Sequence, residues 1–190
     1  VLLGLMSLTA LGLSGAVLQM FSHGIIAGLL FAVVGRMVYE RTHTRRLEDL
    51  RTLALFRLMP FAAVTFVIAS LASMGMPGFS GFPAELTILI GTWSVSPIWT
   101  LAAALGVLIA AAFTLRVMQL AFFGQTKNTN HPGAHASLHL APITLAEKSG
   151  AALLVAATVY VGLRPDLLLA WIEPALRSPM FQAVLQGGTP

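Results

Sequence analysis

Long apolar segments separated by short polar ones dominate this chain. They occupy residues 1–20, 21–39, 60–76, 80–94, 98–124 and 147–163. At a rise of about 1.5 Å per residue, about 20 apolar residues cross the hydrocarbon core of a bilayer. Because the runs are rich in Leu, Ala and Gly, the pattern predicts helices rather than a barrel. We expect an all-α integral membrane protein with about six transmembrane helices, bundled over residues 1–164.

A cluster of helix breakers interrupts the middle of the chain. Residues 60–76 lead into the string PGFSGFP, which contains Pro77, Gly78, Gly81 and Pro83. Proline and glycine break helices, and a broken helix at membrane depth is tolerated only inside protein or beside a wet cavity. The pattern predicts one interrupted helix. A plain loop between two helices is the competing interpretation.

Glu85 stands just after this break, inside the apolar segment 80–94. A carboxylate among apolar residues in a membrane is costly, and it marks a candidate functional site. The competing interpretation places Glu85 in the first turn of a helix, where it would complement the free N–H groups and the macrodipole. The residues alone leave both interpretations open.

His23 stands near the start of the second apolar run, which we expect to follow the first through a tight turn near residues 19–22. A histidine at a helix end is commonly structural and bonds a carbonyl. The alternative is a proton relay in a polar seam, because the pKa of histidine lies near working pH.

The densely charged stretch is residues 40–57, with five Arg against Glu40, Glu48 and Asp49. It predicts a surface loop, favoured on the inside of the membrane, that carries a short amphipathic helix. The expected apolar face comprises Leu47, Leu50, Leu53 and Ala54. His43 is expected to be solvated or to contact a partner.

Two further sets of polar residues need an interpretation. Arg116 lies inside the span 98–124, so it is expected to pair with a carboxylate of another helix or to reach the interface along its stem. In the polar loop 125–146, His131, His135 and His139 recur every four residues, which on a helix would suggest a metal site. Pro132 and Gly133 disfavour that helix, so we predict a solvated loop and no metal.

Composition supports a membrane location. Of 190 residues, 57% are hydrophobic and 9% charged, against about 25% charged in soluble domains. The chain has no Cys, which excludes disulfides and thiolate chemistry, and its net charge of +4 suits anionic lipid rather than nucleic acid. The first residue, Val1, already lies in an apolar run, so we expect an amino-terminal part to be missing. Residues 165–190 are expected to form an interfacial carboxy-terminal segment anchored by Trp171.

Three strings carry a family resemblance. SHGIIAGLLFAVVGRMVYERTHTR, LASMGMPGFSGFPAELTILIG and AAAFTLRVMQLAFFG resemble the antiporter-like membrane subunits of respiratory complex I, of the subunit M or mitochondrial chain 4 type. The resemblance implies a carboxy-terminal fragment. It would correspond to the last six of fourteen helices arranged as two inverted repeats.

The resemblance also implies a function. The chain would be a proton-translocating membrane subunit of an NADH:quinone oxidoreductase, coupling quinone reduction to proton transfer through a buried Glu/His polar axis. Glu85 would be the terminal proton carrier and His23 part of the axis. Arg116 departs from the family pattern, which often has a bulky apolar residue there, so its role as a charge partner is expected from its own chemistry alone. No redox centre or cofactor is expected in this chain. NADH, flavin, iron–sulfur clusters and quinone would belong to partner subunits, in a bacterial inner (cell) membrane.

Two other hypotheses remain open from the sequence. A cation/proton antiporter or a membrane-bound hydrogenase built from the same subunit type would have a similar site and different partners. Alternatively the helices are scaffold only, with Glu85 capping a helix and Arg116 held at the interface.

Overall fold

The computed structural model describes residues 1–53, 55–123 and 140–176, together with residues 178, 179 and 181. Every regular element in that part of the chain is a helix. In chain order they are α1 (Leu2–Met6), α2 (Ala10–Phe31), a π-helical segment (Ala32–Tyr39), α3 (Glu40–Thr42), α4 (Leu47–Leu53), α5 (Leu55–Leu58), α6 (Pro60–Ser73), α7 (Gly81–Trp93), α8 (Pro97–Phe122), α9 (Leu145–Leu163) and α10 (Asp166–Leu176).

The longest rod comprises α2, the π-helical segment and α3, which form one unbroken helix of 33 residues. It begins at Thr9, whose hydroxyl accepts a hydrogen bond from the N–H of Gly12. At about 1.5 Å per residue the rod is about 50 Å long, more than the hydrocarbon core requires. The tight turn predicted near residues 19–22 is therefore wrong. That stretch contains neither Gly nor Pro, and the chain reverses instead between Met6 and Ala10.

Helices α6 and α7 run along this rod in a common direction, antiparallel to it. Buried residues of α6 share a hydrophobic core with Leu29 and Val33, which lie in the second half of the rod. In α7, Ile88 packs on Gly15 and Gly91 packs on Gly12, and both of these glycines lie in the first half of the rod. Helix α6 ends at Ser73 and α7 begins at Gly81, so the helical path is interrupted between them.

The break covers residues 74–80, between Ser73 and Gly81. It starts earlier than predicted, because Gly75 adopts φ +67° and ends the helical path before Pro77. Gly78 also has a positive φ, of +97°. Gly81 and Pro83 were predicted to lie in the break, but both belong to the first turn of α7, where proline lacks no needed hydrogen bond.

Close backbone packing holds α7 against α2. A Cβ atom on Gly91 would overlap the backbone of Gly12, so the two helices approach as closely as glycine permits. Small residues at helix interfaces serve this purpose in membranes, where apolar burial against lipid gives little driving force. This contact fixes the height of α7 along the rod and therefore the height of the break.

The prediction of six spans is not confirmed. In the described ranges, three helices are long and apolar enough to cross a bilayer: residues 10–42, α8 and α9, with α6 a shorter apolar helix. A capping box starts α9, since the Thr144 hydroxyl accepts the Glu147 N–H while the Glu147 carboxylate accepts the Thr144 N–H. Few side chains of α8 are buried, so most of its surface is available to lipid or to other protein.

The charged loop folds partly as predicted. Leu50 is buried and Leu53 half-buried, as expected of an apolar face, but Leu47 is exposed, and Ala54 lies outside the described residues. His43 is exposed. His131, His135 and His139 also lie outside the described residues, so the predicted solvated loop there stays a prediction.

Arg41 connects the charged loop to the start of α9. Its side chain is only 6% exposed and pairs with the carboxylate of Glu147 at 2.8 Å. It also donates to the backbone carbonyls of Arg36, Met37, Ala141 and Pro142. One guanidinium therefore satisfies carbonyls at the end of the rod and in the segment entering α9.

Candidate functional site

Glu85 lies beside the break, where α7 faces α2. Its side chain is half-buried. One carboxylate oxygen, Oε2, occupies the space that a Cβ atom on Gly75 would take. The other oxygen, Oε1, accepts a hydrogen bond of 3.4 Å from Nε2 of Gln19. The carboxyl group is therefore held between the rod and the interruption in the helix that packs against it.

The position of Glu85 in its helix does not match the capping interpretation. It is the fifth residue of α7, beyond the first turn, and that turn contains no acidic residue. Its hydrogen-bond partner is a side chain of another helix rather than a free N–H of its own. Within the described ranges, no Lys, Arg or His forms an ion pair with it.

Gln19 is the neighbour that the sequence reasoning missed. It is half-buried on α2, and its amide oxygen Oε1 is buried without a hydrogen-bond partner in the part of the chain that the structure describes. Buried polar atoms are nearly always hydrogen-bonded, so an unpaired amide oxygen next to a carboxyl group calls for a functional explanation. The available signal was a polar side chain in an apolar helix, one turn before His23.

A second set of polar contacts ties the break to two helices. The hydroxyl of Ser22 on α2 donates to the backbone carbonyl of Ser80, at 2.9 Å. The hydroxyl of Ser80 is 2.9 Å from that of Thr158 on α9. All three side chains are fully buried, so these bonds form a buried polar connection from the rod through the end of the break to α9.

His23 and Arg116 do not join this site. His23 is exposed, and no described hydrogen bond or ion pair connects it with Glu85, so the described residues show no buried Glu/His axis. It nevertheless follows Gln19 by four residues, which places the two side chains next to each other along the helix. Arg116 is exposed on α8, and no carboxylate of the described residues pairs with it.

The site can hold a proton and exchange it. A carboxyl group with no ion-pair partner among the described residues can be neutral or charged, and this one stands beside an interruption between two helices. Among the described residues no group of three or more His, Asp or Glu side chains has the geometry of a metal site. Glu85 is the titratable group of this site, and a carboxyl group can bind and release a proton.

The chain is similar to proteins of a known membrane family. The family described as NADH:quinone oxidoreductase/Mrp antiporter, TM, matches residues 1–114. NADH-quinone oxidoreductase subunit M of Rickettsia felis is 36% identical over 169 residues, which cover 89% of this chain and 32% of the relative. The chain thus spans about a third of the length of that curated relative.

Solved structures show the same helical arrangement. A chain of respiratory complex I from Thermus thermophilus superposes with a TM-score of 0.81 at 29% identity, covering 99% of this chain and 36% of that one. A chain of the Mrp complex from Dietzia superposes with a TM-score of 0.73 at 24% identity, covering 96% of this chain and 41% of that one. The second likeness concerns the fold alone.

Proposed function

Since this chain belongs to the NADH:quinone oxidoreductase/Mrp antiporter transmembrane family, we propose that it is part of a proton-translocating membrane subunit of an NADH:quinone oxidoreductase. The redox groups and the quinone site belong to partner subunits in this proposal. The observation that carries it is the position of Glu85, a carboxyl group without an ion-pair partner in the described residues, at an interrupted membrane helix.

Glu85 is the proton carrier in this mechanism. It takes up a proton from one side and releases it toward the other when conformational change alters its surroundings. The break at residues 74–80 supplies the irregular backbone through which water reaches the carboxyl group. A change in these surroundings shifts the balance between the protonated and the ionised carboxyl group.

His23 is the next proton acceptor along the path. Its side chain starts one turn beyond Gln19 on the same flank of α2, and this proposal requires water or a side-chain rotation to connect it with the Glu85 site. The exposure of His23 in the described chain leaves its ring open to other helices of the membrane arm. Arg116 stays a prediction as a charge partner, through a carboxylate outside the described residues.

The test is the number of protons pumped per electron by the assembled complex carrying Glu85→Gln in the full-length subunit. The amide keeps the size of the side chain and removes its titratable proton. We expect quinone reduction and assembly to persist while the proton-to-electron ratio falls. Glu48→Gln, an exposed glutamate of the charged loop, is the matched control and should leave the ratio unchanged. An unchanged ratio in Glu85→Gln contradicts the proposal.

A cation/proton antiporter is the second candidate, because the matching family also covers Mrp antiporters. The carboxyl group would then exchange protons against a metal cation, without a redox partner. Purification of the full-length protein from its native membrane distinguishes the two candidates. Co-purifying flavin-bearing and quinone-reducing subunits favour the first, and a set of antiporter chains alone favours the second.

A further inference from the structure

Gln19 is the described side chain that hydrogen-bonds to Glu85, and only one end of its amide is used. The Nε2 donates to Glu85 Oε1, while the Oε1 of Gln19 is buried and unpaired within the described residues. The hydroxyl of Ser22, one turn further along α2, is already bonded to the carbonyl of Ser80. The amide therefore has a free acceptor next to the carboxyl group that the proposed function requires to change its protonation state.

A carboxyl group needs different partners in its two states. The ionised form only accepts hydrogen bonds, whereas the protonated form also has one O–H to donate. An amide supplies both kinds of partner, because its nitrogen donates and its oxygen accepts. The terminal torsion of glutamine joins an sp³ to an sp² carbon and has broad minima, so the amide turns over at low cost.

We propose that Gln19 is a positioning residue that serves Glu85 in both protonation states. Its Nε2–H donates to the carboxylate, and after proton uptake the amide rotates so that its Oε1 accepts the carboxyl O–H. The amide gains and loses no proton itself. This inference rests on the proposed function, since it describes how the proton carrier is held before and after it is loaded.

The arrangement has a functional consequence beyond packing. With a partner in each state, both the charged and the neutral form of Glu85 keep a hydrogen bond to Gln19. The two states therefore lie closer in free energy than they would beside an apolar side chain. Replacement of the amide by an apolar group should hinder proton exchange without removing the proton carrier.

The experiment uses the full-length subunit in the assembled complex with Gln19→Leu, which removes both hydrogen-bonding ends. Infrared spectroscopy records the C=O stretch of protonated Glu85, assigned as the band that disappears in Glu85→Gln. Loss of the acceptor should move this band to higher frequency, and the proton-to-electron ratio should fall. Gln119→Leu, the same change at an exposed position of α8, is the matched control and should alter neither.

The possible results distinguish the role of Gln19 from the role of Glu85. If Glu85→Gln lowers the pumping ratio but Gln19→Leu leaves the carbonyl band in place, the role of Gln19 is overturned and the proposed function stands. A wild-type spectrum without a band from protonated Glu85 also overturns that role. If Glu85→Gln leaves pumping intact, the proposed function itself fails.

A second variant covers a failure of assembly. Gln19→Asn keeps the amide on a side chain shorter by one methylene, so the hydrogen bond to Glu85 should lengthen and the band should shift in the same direction by a smaller amount. An unmoved band in Gln19→Asn, when Gln19→Leu cannot be assembled, contradicts the inference.

Discussion

At the level of single residues, the site depends on the absence of a side chain at Gly75. Its φ of +67° lies in the left-handed region, and a Cβ atom there would overlap the carboxylate oxygen Oε2 of Glu85. Glycine therefore does two things at this position: it lets the chain leave α6, and it leaves room for the carboxyl group of Glu85. The break and the acidic residue are in this sense one feature.

We predict that Gly75→Ala destabilises the protein and impairs pumping. A non-glycine residue in this conformation costs about 1–3 kcal/mol, and the added methyl group must also displace the carboxyl group of Glu85. The measurement is the thermal unfolding of the full-length subunit in detergent, with the proton-to-electron ratio of the complex beside it. Gly106→Ala, at a helical position of α8 where the new Cβ meets nothing, should be neutral or slightly stabilising. Equal behaviour of the two variants would contradict this explanation.

At the scale of elements, the break is an ordered segment rather than a loose connection. The Ser22–Ser80 and Ser80–Thr158 hydrogen bonds fix the end of the break to α2 and α9, and all three side chains are buried. Such contacts matter for stability, because loss of one partner leaves the other buried without a hydrogen bond. These bonds therefore hold the end of the break in one position relative to α2 and α9.

We predict a non-additive result for the Ser80–Thr158 pair. Thr158→Val should destabilise the subunit by about 1–3 kcal/mol, because the hydroxyl of Ser80 stays buried without its partner. The double variant Ser80→Ala/Thr158→Val should lose less than the sum of the single losses, because no unpaired hydroxyl remains. Thermal unfolding of the full-length subunit measures all three. Additive losses would show that the two hydroxyls do not depend on each other.

The Arg41–Glu147 pair gives a second prediction at this scale. Both side chains are nearly buried, 6% and 10% exposed, so Arg41→Ala would leave the carboxylate of Glu147 with weaker compensation and several carbonyls unbonded. The loss should be about 1–3 kcal/mol, because Arg36 still pairs with Glu147 at 3.4 Å. Arg164→Ala is the matched control, because its side chain is 61% exposed and its ion pair with Asp166 should contribute little to stability. Similar losses of thermal stability in the two variants would contradict the larger contribution of the Arg41 side chain to stability.

At the scale of the whole molecule, one rod and one interrupted helix determine where the site lies. The apolar runs, the breakers at Pro77 and Gly78, and Glu85 were all predictable, because length, hydropathy and backbone constraints act locally. The choice of Gln19 over His23 as the immediate partner was not predictable. It depends on where α7 sits along the rod, and the close approach of Gly91 to Gly12 sets that height.

The difference between local signals and packing also explains why the turn near residues 19–22 was predicted wrongly. Two consecutive apolar runs of about 20 residues look like two spans. The absence of Gly and Pro between Gln19 and Ser22 is the local sign that the helix continues. The common direction of α6 and α7 follows from packing against α2, which a single sequence does not display.

In the proposed function, a titratable carboxyl group at the break carries the transported proton. The number of protons pumped per electron, measured in complexes carrying Glu85→Asp and Glu85→Gln in the full-length subunit, tests this role. We expect aspartate, which keeps the acid on a shorter side chain, to retain a larger ratio than glutamine, which keeps the length without the acid. Equal ratios in the two variants would contradict it.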